Sequence, residues 1–362
     1  MSLNCGIIGL SSTGKTMLFN CLSKSKGSTG VGGASKTNLG QIEVPDPRLD
    51  KLFEMVNSEK KVPTTVEIAD IPGLVKSGSG QKGTNKFLAD IRQTDALIHV
   101  LRCFEDDTVP HMEGSIDPVR DKEILDLELI FKDLETLEKK LDNYKKASKG
   151  GDKDAIHAAE IISSLMEHLE NGKRAADFNV DSQDKKIIDD CFLLTTKPVL
   201  YVCNVDELSA STGNKYSDNV KEALKNEDAI IIIVAAKAEA EIAELDDPND
   251  RIAFLQDLGI EEPGVNKLIR NAYHLLDLRT FFTINPKETR AWTIRKGMTA
   301  PEAAGVVHSD MERGFIRAEV IKYEDFVTLG SEQECKNAGK FNVEGKNYVV
   351  QDGDILYIRF NV

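Results

Sequence analysis

Residues Gly9-Leu10-Ser11-Ser12-Thr13-Gly14-Lys15-Thr16 fit the pattern G-x-x-x-x-G-K-[ST], and no other stretch constrains the fold of this chain as strongly. The octet follows the apolar run Leu3–Ile8 and precedes the helix-patterned Met17-Leu18-Phe19-Asn20-Cys21-Leu22. A strand, a glycine loop and a helix in that order are the setting the motif requires. The glycines let backbone N–H groups face phosphate oxygens, and the helix N-terminus adds positive potential. Lys15 would neutralise β- and γ-phosphate oxygens, and the Thr16 hydroxyl would hold Mg²⁺.

Further strand-like runs follow at Gln41–Val44, Thr65–Asp70, Ala96–Cys103, Pro198–Cys203 and Ala229–Ala235, alternating with helical patterns. Several are continuously apolar, as strands buried on both faces are. This predicts an α/β domain with a mostly parallel, doubly wound sheet. Between two of these strands, Leu127, Ile130, Leu134, Leu137, Leu141 and Tyr144 form a coiled-coil seam. Ser148–Asp152 breaks it, and Ala158, Ile162, Leu165 and Leu169 repeat it, which predicts an inserted antiparallel helical hairpin. Beyond residue 278 short strand-like runs with Gly and Asp turns predict a separate α+β module. The expected organisation is a nucleotide-binding domain at 1–118 and 197–277, a helical insertion at 119–196 and the module at 278–362.

Asp70-Ile71-Pro72-Gly73-Leu74 ends a strand downstream of the glycine loop. Asp70 is placed to contact the Mg²⁺ shell, and Gly73 lets the backbone reach the γ-phosphate. The glycine-rich Lys76–Gly83 that follows is expected to act as a switch. Leu74 stands where Ras-like enzymes place the Gln that orients water. Another group must therefore align water if hydrolysis occurs, and His111, in the polar loop Glu105–Ser115, is the candidate. Base selection is expected in Asn204-Val205-Asp206-Glu207. GTPases use N-K-x-D here, with the Asp accepting from guanine N1–H and the 2-amino group. Val205 and Glu207 replace the Lys and the Asp, which argues against guanine selection of the usual kind. Ala236 and Lys237, after the next strand, fit the last base-contacting loop.

Lys and Arg total 46 against 60 Asp and Glu, a net charge of −14. A protein coated in positive charge is excluded, so any nucleic-acid contact must be a local basic patch. Arg290, Arg295, Lys296, Arg313 and Arg317 are the expected patch, with the hairpin as the alternative. The longest apolar run, Ala229–Ala236, is eight residues, far short of the roughly 20 that span a bilayer. No signal peptide is visible, and the cytoplasm is the expected location. The six scattered cysteines read as buried hydrophobes in a reducing compartment.

Together these segments resemble the Obg-like ATPase family, the YchF proteins, over nearly the whole chain. The resemblance includes Val44–Leu49, Asp70–Val75, Arg102–Asp107, Glu113–Arg120, Asn204–Glu207, Arg290–Ile294, Arg313–Val320 and Val350–Asp354. It implies a P-loop G domain, an inserted helical hairpin and a C-terminal TGS domain of β-grasp, ubiquitin-like shape. It also implies ATP hydrolysis, with GTP poorly used, and association with ribosomes. Ser12, Thr13, Gly14, Lys15, Thr16 and Met17 match the family's N-V-G-K-S-T. Val205 matches the residue whose backbone reads adenine, and His111 the histidine proposed to act in hydrolysis. Ser12 replaces an Asn and Pro72 an Ala. In the first switch, Ala34 falls where the Mg²⁺-binding Thr should be, and Lys36 replaces an acidic residue. Either Ser35 or Thr37 then takes over the metal, or the switch clamps the γ-phosphate poorly.

The expectation is a slow, Mg²⁺-dependent ATPase associated with ribosomes or RNA, monomeric by default. Two alternatives stand beside it: an ATP-sensing adaptor with vestigial turnover, and a GTPase.

Overall fold

The computed structural model describes residues 4–24, 38–73 and 81–361. The first-switch residues Ala34, Ser35, Lys36 and Thr37, the residue Leu74, and 75–80 of the second switch lie outside them.

The chain divides into two compact units, residues 1–40 with 67–268, and 41–66 with 269–362. The first is built on a six-stranded sheet of order β2-β4-β1-β5-β6-β7. Its strands are β1 (Asn4–Ile8), β2 (Asn38–Glu43), β4 (Thr65–Asp70), β5 (Ala96–Cys103), β6 (Val199–Val205) and β7 (Ile230–Val234). β4, β1, β5, β6 and β7 pair in parallel along the sheet. Every residue of β5 is buried, as its continuous apolar run implies for a strand covered on both faces. Because these strands run the same way, the segments after β1, β4, β5, β6 and β7 all emerge at one edge. That is where open α/β sheets bind ligands.

The inserted hairpin consists of the helices Pro118–Ser148 and Lys153–Glu170. Asp117 and Asp152 cap their N-termini with side-chain acceptors. Ile130, Leu137 and Leu141 pack on Ile162, Leu165 and Leu169, much as the heptad pattern predicts. The seam starts later than expected, because Leu127 is 46% exposed. The first turns of the helix instead bury Leu125 and Leu129 against Ile8, Ala69 and Leu97 of the sheet. Asp133, buried, accepts from Leu194 N, Thr195 N and Thr195 Oγ1 at 2.7–2.8 Å. Its carboxylate thereby ties the returning chain to the hairpin.

The second unit has the sheet order β11-β10-β12-β8-β9-β3. The strands are β3 (Lys60–Val62), β8 (Leu278–Ile284), β9 (Glu288–Arg295), β10 (Phe315–Lys322), β11 (Asn342–Glu344) and β12 (Asp354–Phe360). An antiparallel β8–β9 hairpin, a β12 parallel to β8 and an antiparallel β10 make the β-grasp arrangement the resemblance implies. The helix Ala300–Val307 covers one face through Ala300, Ala303 and Ala304. The other face is covered by the helix Pro47–Val56, whose Leu49 and Leu52 pack on Phe282, Ile284 and Ala291. The sequence places 41–66 in the nucleotide-binding domain, but the helix Pro47–Val56 and β3 within that stretch pack with the C-terminal unit. β3 adds a parallel strand to the edge of β9, and Arg48 pairs with Asp352 at 2.8 Å. Three residues of Lys-Lys-Val carry too weak a periodicity to be read as a strand.

Candidate functional site

The loop after β1 wraps as a phosphate-binding loop must. Gly9, Ser12 and Gly14 all have positive φ, and at 63° Ser12 occupies the left-handed region without being glycine. Glycine is required at position 14, where an added Cβ would lie 2.3 Å from Asn204 Nδ2. Thr13 and Lys15 are buried, whereas Thr16 and Met17 are exposed. Lys15 Nζ donates to Leu10 O at 2.5 Å, and burial lowers its pKa from 10.5 to about 8.

The loop after β4 reaches the same place. Thr16 Oγ1 donates to Asp70 Oδ2 at 3.1 Å. The other Asp70 oxygen, Oδ1, is buried without a partner, and burial raises the Asp70 pKa. A buried, unpaired carboxylate oxygen beside a hydroxyl is the environment a hydrated divalent cation would satisfy, so Thr16 and Asp70 fit Mg²⁺. Gly73 packs on the loop so closely that a Cβ there would be 2.6 Å from Lys15 Nζ. The expected Lys15, Thr16, Asp70 and Gly73 therefore come together. Thr37 lies outside the described residues. Among those residues no cluster of three or more His, Cys, Asp or Glu could hold a metal by itself.

Beside this candidate phosphate end lies a cleft of about 510 Å³. Ser12, Gly14 and Met17 form its floor, and Asn204, Val205, Asp206 and Glu207 one wall together with Leu208 and Lys237. Phe104, Glu105, Asp106 and Val109, from the loop after β5, form the other wall. The expected base-contacting residues are thus gathered in one place, except Ala236. Its N–H donates to Asn204 Oδ1 at 3.0 Å, while Asn204 Nδ2 donates to Thr13 O at 2.9 Å. The buried Asn204 amide therefore ties the loop after β7 to the glycine loop after β1. Asp206 Oδ1 accepts from Ser209 N and Oγ, and Asp206 Oδ2 from Asn214 Nδ2. Phe104, Glu105 and Asp106 of this wall belong to the family-like segment Arg102–Asp107, but nothing in the sequence marks them as lining the cleft.

His111 is not brought to this cleft. Its Nδ1 accepts from Glu113 N at 3.0 Å, so the ring proton sits on Nε2. Nε2 meets Asp121 Oδ2 at 2.9 Å, and the side chain is 7% exposed. The loop histidine is thus spent on the base of the helical hairpin in this conformation, because a buried carboxylate outcompetes solvent for its N–H.

Comparison with known proteins adds the lineage. A 50S ribosome-binding GTPase family model matches residues 4–143. The C-terminal domain model of YchF GTPases, described as a protein of unknown function, matches 278–361. The ribosome-binding ATPase YchF of Haemophilus influenzae is 46% identical over 369 residues, covering all of both chains. The chain belongs to the YchF family. The Bacillus subtilis YchF, also named a ribosome-binding ATPase, is 47% identical over the full length of both. The solved YchF GTPase of Schizosaccharomyces pombe superposes with a TM-score of 0.88 at 31% identity, covering 99% of this chain and 98% of that one. The YchF architecture of P-loop domain, inserted hairpin and C-terminal β-rich domain is therefore this chain's. All six cysteines are buried and none forms a disulfide. Among the described residues no helix is long and apolar enough to cross a membrane.

Proposed function

We propose that this YchF protein binds Mg²⁺–ATP in the cleft, prefers it to GTP, hydrolyses it slowly and uses the bound state to govern contact with the ribosome. The observation that carries the base preference is at the end of β6. Asp206, the one aspartate in Asn204–Glu207, has both carboxylate oxygens engaged by Ser209 and Asn214, leaving no aspartate for the guanine edge. Glu207 lines the cleft, but its extra methylene displaces the carboxylate from where an Asp would stand. Curated relatives named ribosome-binding ATPases support the same reading.

The chemistry is positional. Loop N–H groups and Lys15 hold the β- and γ-phosphates, and Gly73 gives the backbone access to the γ-phosphate. Mg²⁺ held by Thr16 and, through water, by Asp70 would supply charge neutralisation. Phosphoryl transfer with a loose transition state gains mainly from such orientation and charge stabilisation. His111 aligns water only if its loop leaves Asp121, so turnover is slow and gated by that hydrogen bond. His111→Ala should lower turnover by about 10²-fold, in the range for a positioned acid–base group, with ATP affinity unchanged.

For the ribosome, the hairpin is favoured over the C-terminal patch. Arg290, Arg313 and Arg317 are each paired with an acidic neighbour. At the hairpin turn Lys145, Lys146, Lys149 and Lys153 are all exposed, and they outnumber the exposed Asp142, Asp152 and Asp154 around them. Phosphate release from ATP and GTP against a Lys15→Ala control tests the enzyme. Release from ATP no greater than in that control, with ATP still bound, leaves the adaptor reading; preferential release from GTP leaves the GTPase. Ribosome co-sedimentation of a Lys145→Glu/Lys146→Glu/Lys149→Glu variant tests the contact, and undiminished binding moves it elsewhere.

A further inference from the structure

The last two residues of β5 include a buried cation. Arg102 is 2% exposed. Its guanidinium donates from Nε to Phe104 O at 3.3 Å, from Nη1 to Val109 O at 2.9 Å and from Nη2 to Asp106 O at 3.1 Å. Its Cζ also lies 4.7 Å from the centroid of the Phe104 ring. Burying a guanidinium is costly, and hydrogen bonds to neutral carbonyls offset that cost less well than a carboxylate would. The three residues whose carbonyls it gathers, Phe104, Asp106 and Val109, are all cleft-lining. The rigid planar fork of arginine suits this task, since one group spans three carbonyls spread over six positions of chain.

We propose that Arg102 is a positioning residue for the nucleobase: it holds the Phe104–Val109 wall at the spacing from Val205–Leu208 that accepts a purine ring. The inference rests on the cleft being the nucleotide site. Arg102 itself does not line the cleft. It acts through the backbone of the wall and through the face of Phe104. Losing it should loosen only the base end of the cleft, because the phosphate end is built separately from the loops after β1 and β4.

The test compares ligands that share the phosphate end and differ at the base end. Calorimetric titrations of the full chain with Mg²⁺ and ATP, GTP or inorganic tripolyphosphate are made on wild type, Arg102→Gln and Arg102→Lys. Arg102→Gln should weaken ATP by about tenfold, the scale of one lost base–aromatic contact. Tripolyphosphate affinity should hold within about twofold in the same variant, a number set by the separation of the two ends. The ATP-to-GTP ratio should fall towards one. Arg102→Lys keeps the charge but not the fork, so it should fold where Gln does not and show the same split. Equal weakening of ATP and tripolyphosphate would overturn the proposal, making Arg102 a general support of the fold. So would unchanged ATP affinity and base ratio in both variants. A wild-type chain that binds no nucleotide refutes the parent reading instead, and this one with it.

Discussion

Asn204 joins the loop at Thr13, 191 residues before it, to the loop at Ala236, 32 residues after it, and removing its amide should damage both. Asn204→Ala strips the donor from Thr13 O and the acceptor from Ala236 N, bonds of 2.9 and 3.0 Å in the interior of the first unit. Water cannot easily replace either, since Asn204 is 4% exposed. An orphaned buried polar group costs about 1–3 kcal/mol, so two together cost roughly 2–6 kcal/mol, and ~3 kcal/mol is a working value. At about 2–4 °C per kcal/mol for a unit of this size, the first unit should melt some 6–12 °C lower by scanning calorimetry. The phosphate loop also loses its brace against Gly14, so ATP affinity should fall at least about tenfold, the ratio that 1.4 kcal/mol represents. Asn204→Asp keeps an acceptor for Ala236 but sets a second acceptor against Thr13 O, so it should restore stability only in part. Asn204→Ala with an unchanged melting temperature and unchanged ATP affinity would refute the reasoning, because both consequences follow from the same two bonds.

Two further predictions concern protons. Burial puts the Lys15 pKa at about 8 against an ordinary 10.5, so the unfolded chain binds more protons between those values and this residue's contribution to stability rises with pH across that window. Triphosphate oxygens restore the charged form, so Mg²⁺–ATP binding near pH 8.5–9 should take up a fraction of a proton, read from calorimetry in buffers of different ionisation enthalpy; equal heats in all buffers would sink the idea. Glu239 is buried and accepts from Gly264 N at 2.5 Å, and burial raises its pKa from 4.5 to about 7. The folded chain then holds the extra proton, so its contribution to stability is full below about pH 4.5 and is lost as pH rises through 7. Glu239→Gln keeps the acceptor and removes the titration, so it should gain on wild type between pH 5 and 8 by up to about 3 kcal/mol. Denaturation curves giving the same difference at both pH values would show that Glu239 does not titrate there.

The segments expected to bind phosphate were legible locally. A glycine loop between an apolar strand and a helix, and Asp70–Gly73 after another strand, carry their chemistry in contiguous residues, because backbone N–H groups and one or two side chains suffice. The parallel sheet was legible for a related reason: strands buried on both faces must be apolar throughout, as β5 is. The hairpin was legible from its heptads, although the pattern could not say that Leu125 and Leu129 serve the sheet and leave Leu127 outside.

What the tertiary structure decided depends on contacts between segments far apart in the chain. Residues 41–66 have a helix and a three-residue strand that look unremarkable alone; their place with the C-terminal unit comes from β3 pairing with β9 and Leu49 packing on Phe282. His111 reads as a free loop histidine until its partner is seen, since only folding brings the buried Asp121 to it. Arg102 reads as an anomaly in an apolar strand, yet it orders one wall of the cleft through carbonyl oxygens, which every residue carries and no sequence pattern marks. Side-chain type can be read from sequence, but the backbone groups a side chain will meet are set by the fold.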